Sequence, residues 1–533
     1  MMMPPAEALA FALTRLHDLP ALSARLGTPL EAGDIAAILE EAARFAEERI
    51  APGRVEADRT GCALENGVVR TPPGYAALLE EWRAAGWQGV AAPEAHGGQG
   101  LPHAMLTSVF ELATSADMSF ALMPMLTAGA IELLVHHASE DQAARLLPPL
   151  VSAAWNGTMC LTEPQAGSDL SSIRTRAVPD GAGGYRISGQ KIYITWGEND
   201  LAENTLHFVL ARLPDAPAGS RGISLFACPK VLPDGRRNAL RCGGIERKPG
   251  IHACPTCTMI FEEAEGELVG EPHRGLAAMF SMMNAARLAV GVEGVGQCAR
   301  ATLLAEAYAA DRVQGGRPIA EYPDVARMLS EMRAVTHAAR LLSLDAAVCI
   351  DRARAGEAGA EGRLALLTPI VKAWCTERGV EVASLGIQVH GGAGYVEDSG
   401  AAQLWRDARI APIYEGTNGI QAMDLLVRKL PRALPEFLAL VEEAGASDPA
   451  LRGPAEALAR AARHLAAASP EEAGAAAAPF LDAAGWVLGG GWLARAAAIE
   501  PALAADGAFF LRRLLPRAGA RLEEALAGEM APA

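Results

Sequence analysis

Aromatic residues make up only 5% of this 533-residue chain although half of it is apolar, so its interior has to be filled by alanine, leucine and other small side chains. That composition favours helices packed closely on one another. The length supplies apolar material for a large core and about two to four domains. Positive charge is in deficit. Lys+Arg number 47 against 63 Asp+Glu, a formal charge of −16, which argues against a nucleic-acid backbone as the main partner. No apolar run approaches the roughly 20 residues of a membrane span without a charge interrupting it, so no span is expected. The first residues carry Glu7, Arg15 and Asp18 and lack a basic region with a cleavage pattern, so no secretion signal is read. The nine cysteines are scattered and odd in number, as expected of reduced thiols in a cytoplasmic protein.

The hydrophobic period divides what is present. Residues 1–155 read as helical, with apolar residues three and four apart in Ile35–Arg49, Ala76–Ala85, Met105–Ser115 and Ala128–His136 and a glycine-rich connector at 86–100. His103, His136 and His137 lack acidic or cysteine partners at helical spacing and are read as surface or cap residues, not metal ligands. Near Trp155 the period changes. Tyr185–Gly189, Lys191–Thr195, Leu206–Arg212, Gly222–Pro229 and Thr256–Glu262 alternate or are β-branched between Gly/Pro/Asp turns, predicting an antiparallel β domain over 156–272. Cys254 and Cys257 have C-x-x-C spacing, but Cys242 and His252 make a poor second pair for zinc, so buried strand thiols are expected and no metal. Leu276–Arg312, Pro323–Ala353 and Thr368–Leu385 predict long helices in a domain over 273–430. An alanine-rich helical extension follows over 431–533, with nine Arg, no Lys and thirteen Asp+Glu from Arg432 onward.

The stretch from Ile413 to Gln421, Ile-Tyr-Glu-Gly-Thr-Asn-Gly-Ile-Gln, places a carboxylate between an aromatic residue and a glycine, just before a helix. Thr417 and Asn418 are good N-caps, so Glu415 is expected on a loop one turn ahead of a helix start.

Three motifs in register resemble the acyl-CoA dehydrogenase family: Met159-Cys-Leu-Thr-Glu-Pro-Gln-Ala-Gly-Ser-Asp169, Lys191-Ile-Tyr-Ile-Thr195 and Tyr414-Glu-Gly-Thr417. The glycine cluster within Gln388-Val-His-Gly-Gly-Ala-Gly-Tyr395 stands between the last two, and the match spans residues 35–430. Residues 162–170, 210–226, 282–288 and 413–430, with the extension, look like the subgroup of 3-methylmercaptopropionyl-CoA dehydrogenases.

The resemblance implies a mostly α, α+β fold: a helical N-terminal domain, a middle β domain and a C-terminal four-helix domain, with FAD between the last two. Cys160, Leu161 and Thr162 would offer backbone groups and a hydroxyl to the flavin edge. Gly167 and Ser168 would leave room for phosphates and the CoA arm. Tyr193, Ile194 and Thr195 would form a second wall. The family usually has Trp at 193 and Asn at 196, where this chain has Tyr and Trp, so an aromatic surface is expected near the flavin. Arg312, Gln314, Gln388, His390, Gly391, Gly392 and Thr417 are implied FAD contacts, the first six across a subunit interface. Arg287, Ser168, Tyr414 and Gly416 are implied substrate contacts.

The implied chemistry is α,β-dehydrogenation of an acyl-CoA to a trans-2-enoyl-CoA, as in fatty acid metabolism, with Glu415 as the α-proton base. Some family members carry the base directly before the Arg of the 282–288 motif, where this chain has Ala286. That leaves Glu415. Arg287 would hold CoA or form a helix-surface ion pair, and Glu163 is read as loop structure. The implied substrate is 3-(methylthio)propanoyl-CoA or a similar short or medium acyl-CoA, and the implied acceptor is electron transfer flavoprotein. Alternatives within the superfamily are a dehydrogenase for another acyl chain, a DNA-associated flavoprotein, which the acidic tail disfavours, and a non-catalytic flavin scaffold. The extension would pack on the flavin domain and favour a homodimer.

Overall fold

The computed structural model describes residues 1–527; positions 528–533 of the predicted extension lie outside the described residues. Its contacts divide the chain into two units, one of 49–101 and 117–286, the other of 1–48, 102–116 and 287–533.

The first unit contains helix α1 (Met118–His137) and a seven-stranded sheet of β1 (Trp155–Cys160), β2 (Arg176–Pro179), β3 (Tyr185–Thr195), β4 (Asn204–Arg212), β5 (Ile223–Pro229), β6 (Leu240–Ile245) and β7 (Thr256–Val269). The carboxylate of Asp117 caps α1 by accepting from the amides of Ser119 at 2.9 Å and Phe120 at 3.4 Å. The helix is apolar on nearly every side, and Glu132 is the only charge within it. This corrects the expectation that no apolar run reaches spanning length. Both α1 and the helix at Gly275–Asp311 are long and apolar enough to cross a membrane, and 89% and 56% of their most apolar windows are buried inside the protein. Protein covers α1 where a bilayer otherwise would: a Cβ on Gly157 of β1 would sit 2.3 Å from the Ala130 methyl.

The strands run in the order β1-β4-β2-β3-β7-β5; β5 also pairs with β4, closing them on themselves, and β6 lies on β7. All pairings are antiparallel except β1 with β4 and the single Arg176–Arg212 pair of β2 with β4. The purely antiparallel sheet expected from the sequence gives way there because 161–203, the chain joining β1 to β4, is long enough for a crossover. Along β4, Leu206, Phe208 and Leu210 enter the core shared with α1, while Val209 and Ala211 enter a second core with Phe226, Met259 and Phe261. A strand buried on both faces reads as the continuous apolar run seen in the sequence. Cys242, Cys254 and Cys257 are buried thiols.

The second unit is helical. Its long elements are α2 (Gly275–Asp311, whose first twelve residues belong to the first unit), α3 (Pro323–Arg354), α4 (Ala360–His390) and, in the extension, α6 (Pro470–Ile499), with the short α5 (Asn418–Met423) before it. Small residues let α2 and α4 touch backbone to backbone. A Cβ on Gly294 would lie 2.3 Å from the Cys375 carbonyl oxygen. Gly294→Ala is therefore expected to destabilise the protein by about 1–3 kcal/mol, measurable as a lowered melting temperature. The Ser469/Glu472 capping box starts α6, which packs on α3 and α4. Gly485 brings α6 against Trp374, where a Cβ would lie 2.2 Å from the ring, and Trp486 meets Trp374 edge-on at 5.2 Å. The Arg378 guanidinium sits 4.6 Å above the Trp486 ring.

Candidate functional site

The predicted base stands on a turn that few side chains tolerate. Glu415 has φ +55° and Gly416 φ +83°, two successive left-handed residues. The left-handed conformation costs Glu415 about 1–3 kcal/mol and persists only where its surroundings enforce it. A Cβ on Gly416 would come within 2.9 Å of Gln421 Nε2. The Glu415 carbonyl is held from two sides, by Arg287 Nε at 3.3 Å and Gln421 Nε2 at 3.2 Å. Thr417 then starts α5, its hydroxyl accepting from the Ile420 amide at 3.3 Å.

Burial pushes the Glu415 carboxyl up to about 7, against the opposing pull of Arg287 and Lys372. Lys372 projects from α4, donates to Asn418 Oδ1 at 2.9 Å, and is pushed down by burial to about 8. Tyr414 donates its hydroxyl to Glu293 of α2, a carboxyl only 1% exposed. Burial raises Glu293 to about 8, the Tyr414 hydrogen bond opposing and the Glu415 charge reinforcing the shift. The structure thus brings Glu415, Tyr414, Gly416, Thr417 and Arg287 together. It adds Glu293 and Lys372, which sequence reasoning missed. Their one sequence signal was a lone charge inside an otherwise apolar or small-residue stretch of a long helix, Val290–Val295 and Leu366–Cys375.

In the first unit, the ends of β1 and β3 are tied by a buried ion pair. Lys191 Nζ donates to Glu163 Oε1 at 2.8 Å and to the Leu161 carbonyl at 2.9 Å, with the two side chains 0% and 4% exposed. Glu163 also accepts from the amides of Arg174 and Thr175 and the Thr175 hydroxyl. Burial alone would raise its carboxyl, but Lys191 and these donors bring it down to about 2. Glu163 is thus the anchor of its loop. A bulge between Lys191 and Ile194 gives Tyr193 φ +60° and leaves it 60% exposed. Thr162 and Thr195 lie beside these segments half-buried, their hydroxyls without hydrogen-bond partners among the described residues.

An exposed flat ring next to two unpaired hydroxyls at neighbouring strand ends suits a planar heterocycle with a polar edge, and a flavin fits that description. Two expectations, those for Ile194 and Trp196, change. Cys160 and Ile194 lie in the barrel core at 0% and 2% exposure, so only their backbones are open to a ligand. Trp196 is wholly buried, with its indole N–H directed to the Ser119 carbonyl at 3.3 Å, so it supplies no aromatic surface. Gly167 and Ser168 are exposed on the loop after β1.

In the second unit, Arg312 and Gln314 are exposed in a two-residue hairpin, and Gln388, Gly391 and Gly392 are exposed at the end of α4. Tyr308, one turn before Arg312, stacks on His390 at 4.4 Å, which places both segments at the same end of the helices. His390 itself is buried and bonded through Nδ1 to the Gly386 carbonyl at 2.7 Å. Its ring is thus engaged in packing, whereas its glycine neighbours leave open space: a Cβ on Gly391 or Gly392 would meet nothing within 4 Å.

Three family models match the chain in succession: acyl-CoA dehydrogenase N-terminal domain at residues 34–154, middle domain at 158–264 and C-terminal domain at 273–430. A 3-methylmercaptopropionyl-CoA dehydrogenase from Ruegeria pomeroyi is 44% identical, over 96% of this chain and 94% of its own length. The broad-specificity linear acyl-CoA dehydrogenase FadE5 of Mycobacterium tuberculosis is 34% identical over 74% of this chain and 69% of its own. Among solved structures, butyryl-CoA dehydrogenase from Megasphaera elsdenii superimposes with a TM-score of 0.64 at 27% identity, covering 73% of this chain and 96% of that one. Caenorhabditis elegans ACDH-11 in complex with C11-CoA shares the fold at TM-score 0.79 and 23% identity, covering 95% of this chain and 89% of that one. Matched in succession by three family models, and over 96% of its length by a relative 44% identical, the chain belongs to the acyl-CoA dehydrogenase family of FAD-dependent oxidoreductases.

Proposed function

We propose that Glu415 is the base that removes the α proton of an acyl-CoA thioester, in a dehydrogenation that yields a trans-2-enoyl-CoA. The observation that carries this reading is a carboxyl on an enforced left-handed turn, raised by burial to about 7, where a carboxylate is both ionised and basic at neutral pH. Bound FAD supplies the acceptor for the β hydrogen and its electron pair. The chain's own residues do the rest. Arg287 and Gln421 fix the Glu415 carbonyl, and Gly416 allows the tight turn. The Glu415 amide and Ser168 would meet the thioester and the CoA arm, while Thr162 and Thr195 would hold the flavin edge. Arg312, Gln314, Gln388, Gly391, Gly392 and Thr417 would hold the rest of FAD.

The acyl group proposed is 3-(methylthio)propanoyl or another short or medium chain, supported by the 44% identity to the Ruegeria enzyme. Anaerobic titration of the purified flavoprotein with a panel of acyl-CoAs tests this. Bleaching of the oxidised flavin band is expected to be chain-selective, and the absence of bleaching by every acyl-CoA would overturn the reading.

We further propose four parts, 1–155, 156–272, 273–430 and 431–533, a cytoplasmic setting, and electron transfer flavoprotein as acceptor. We also propose that the protein is a homodimer. The packing of α6 on α3 and α4 supports this last point, because a helix-covered face is closed to further assembly. Sedimentation of the full-length protein is expected to give a dimer, and a stable tetramer would refute it.

A further inference from the structure

Glu293 is a buried acid that the proposed dehydrogenation leaves without a role. It sits in the middle of α2, 1% exposed, with Gly291 and Gly294 on either side packed against α4. Its Oε2 accepts the Tyr414 hydroxyl, and its Oε1 has no hydrogen-bond partner among the described residues. A carboxyl so placed carries a buried polar atom with no partner among the described residues, which destabilises the fold and which packing alone does not explain. Tyr414 is the residue next to the base, so this hydrogen bond links Glu293 directly to the strained turn. The ionisable groups acting on it are few: Tyr414 and Glu415 on the turn, Lys372 on α4, and Arg287 on α2 itself, which acts through Glu415.

We propose that Glu293 is a positioning residue for the base: as a neutral acid joined to Tyr414 it holds the Glu415 turn, and on ionising it opposes the negative charge that the reaction develops. The inference rests on Glu415 being the base. The order of ionisation follows from the surroundings. Glu415 has two cations acting on it and loses its proton near 7; Glu293, left with that new charge beside it, holds its own to about 8. Between these values the site carries one basic carboxylate and one neutral acid. Above them, two negative charges face the enolate-like transition state, and proton abstraction is disfavoured.

The test is the pH profile of anaerobic flavin reduction by a short-chain acyl-CoA. The parent is expected to rise through pH 7 and decline above 8, falling by about fivefold or more near pH 9.5. Glu293→Gln keeps the rise but loses the decline. Lys372 also titrates near 8, so Lys372→Arg, which keeps a cation throughout, serves as the control and is expected to retain the decline. A decline that persists in Glu293→Gln, or vanishes in Lys372→Arg, overturns the proposal. Should Glu293→Gln fail to fold with flavin, Tyr414→Phe decides. It removes the hydrogen bond that favours the ionised form, so the decline must move to higher pH, and an unmoved decline overturns the proposal. The dependence on Glu415 is separable. If Glu415→Gln reduces flavin at the parent rate, the proposed function fails; if it is inactive and the Glu293→Gln profile matches the parent, this inference alone fails.

Discussion

Glu415→Gln is expected to slow anaerobic reduction of bound flavin by acyl-CoA by at least about 10²–10⁴-fold, the range that a positioned general base contributes. The amide nearly matches the carboxyl in shape and cannot accept the proton, so FAD content and melting temperature should stay close to the parent's. Ala286 stands at the alternative family position, and Glu293 is tied to Tyr414. The pH dependence has a defined sign. The carboxyl is raised to about 7, so the parent's rate falls about tenfold for each pH unit below that value and levels above it until Glu293 begins to ionise. A variant with the parent's rate, or a parent whose rate is flat between about pH 5 and 8, would remove Glu415 from the mechanism.

The second large effect is structural. Lys191→Met removes the only ammonium paired with Glu163 among the described residues and leaves a carboxylate 4% exposed. Loss of one partner of a buried pair costs about 3–5 kcal/mol, much of it the desolvation of the charge left behind. Denaturant unfolding should register that loss, and FAD content should fall with it, because the same ammonium ties Leu161 of the β1 end to the strand bearing Tyr193 and Thr195. The sign with pH also follows. The intact pair holds Glu163 down to about 2, so its contribution is present above the ordinary carboxylate range and lost only as pH falls through about 2. In Lys191→Met the stranded carboxyl rises, and mild acid relieves part of the penalty by protonating it. Lys191→Met with Glu163→Gln should be less destabilised than Lys191→Met alone; the reverse order would show that the pair is not the anchor.

The two sites differ in how they were visible beforehand. The turn carrying Glu415 was legible because its determinants are local. Thr417 as an N-cap, Gly416 at a position that excludes Cβ, and an aromatic residue before the acid all lie within a few residues of Glu415. The period-two and period-3.6 patterns located the strands and long helices for the same reason, since each follows from neighbours in sequence. The extension's packing on α3 and α4 was also anticipated from its alanine content, because small side chains permit close approach.

The misreadings came from surfaces. Tyr193 and Trp196 were both expected to keep an aromatic surface near the flavin, but Trp196 turns inward to Ser119, and the bulge at Lys191–Ile194 sends Tyr193 outward. The apolar run of α1 resembles a membrane span until the residues covering it are known. By itself the sequence determined the motifs, the order of helices and strands, and the turn that carries Glu415, since these rest on local chemistry and short-range periodicity. Only the tertiary structure decided which charges surround Glu415. Glu293 and Lys372 reach it from α2 and α4, distant in sequence, and burial among those helices shifts all three groups toward neutrality.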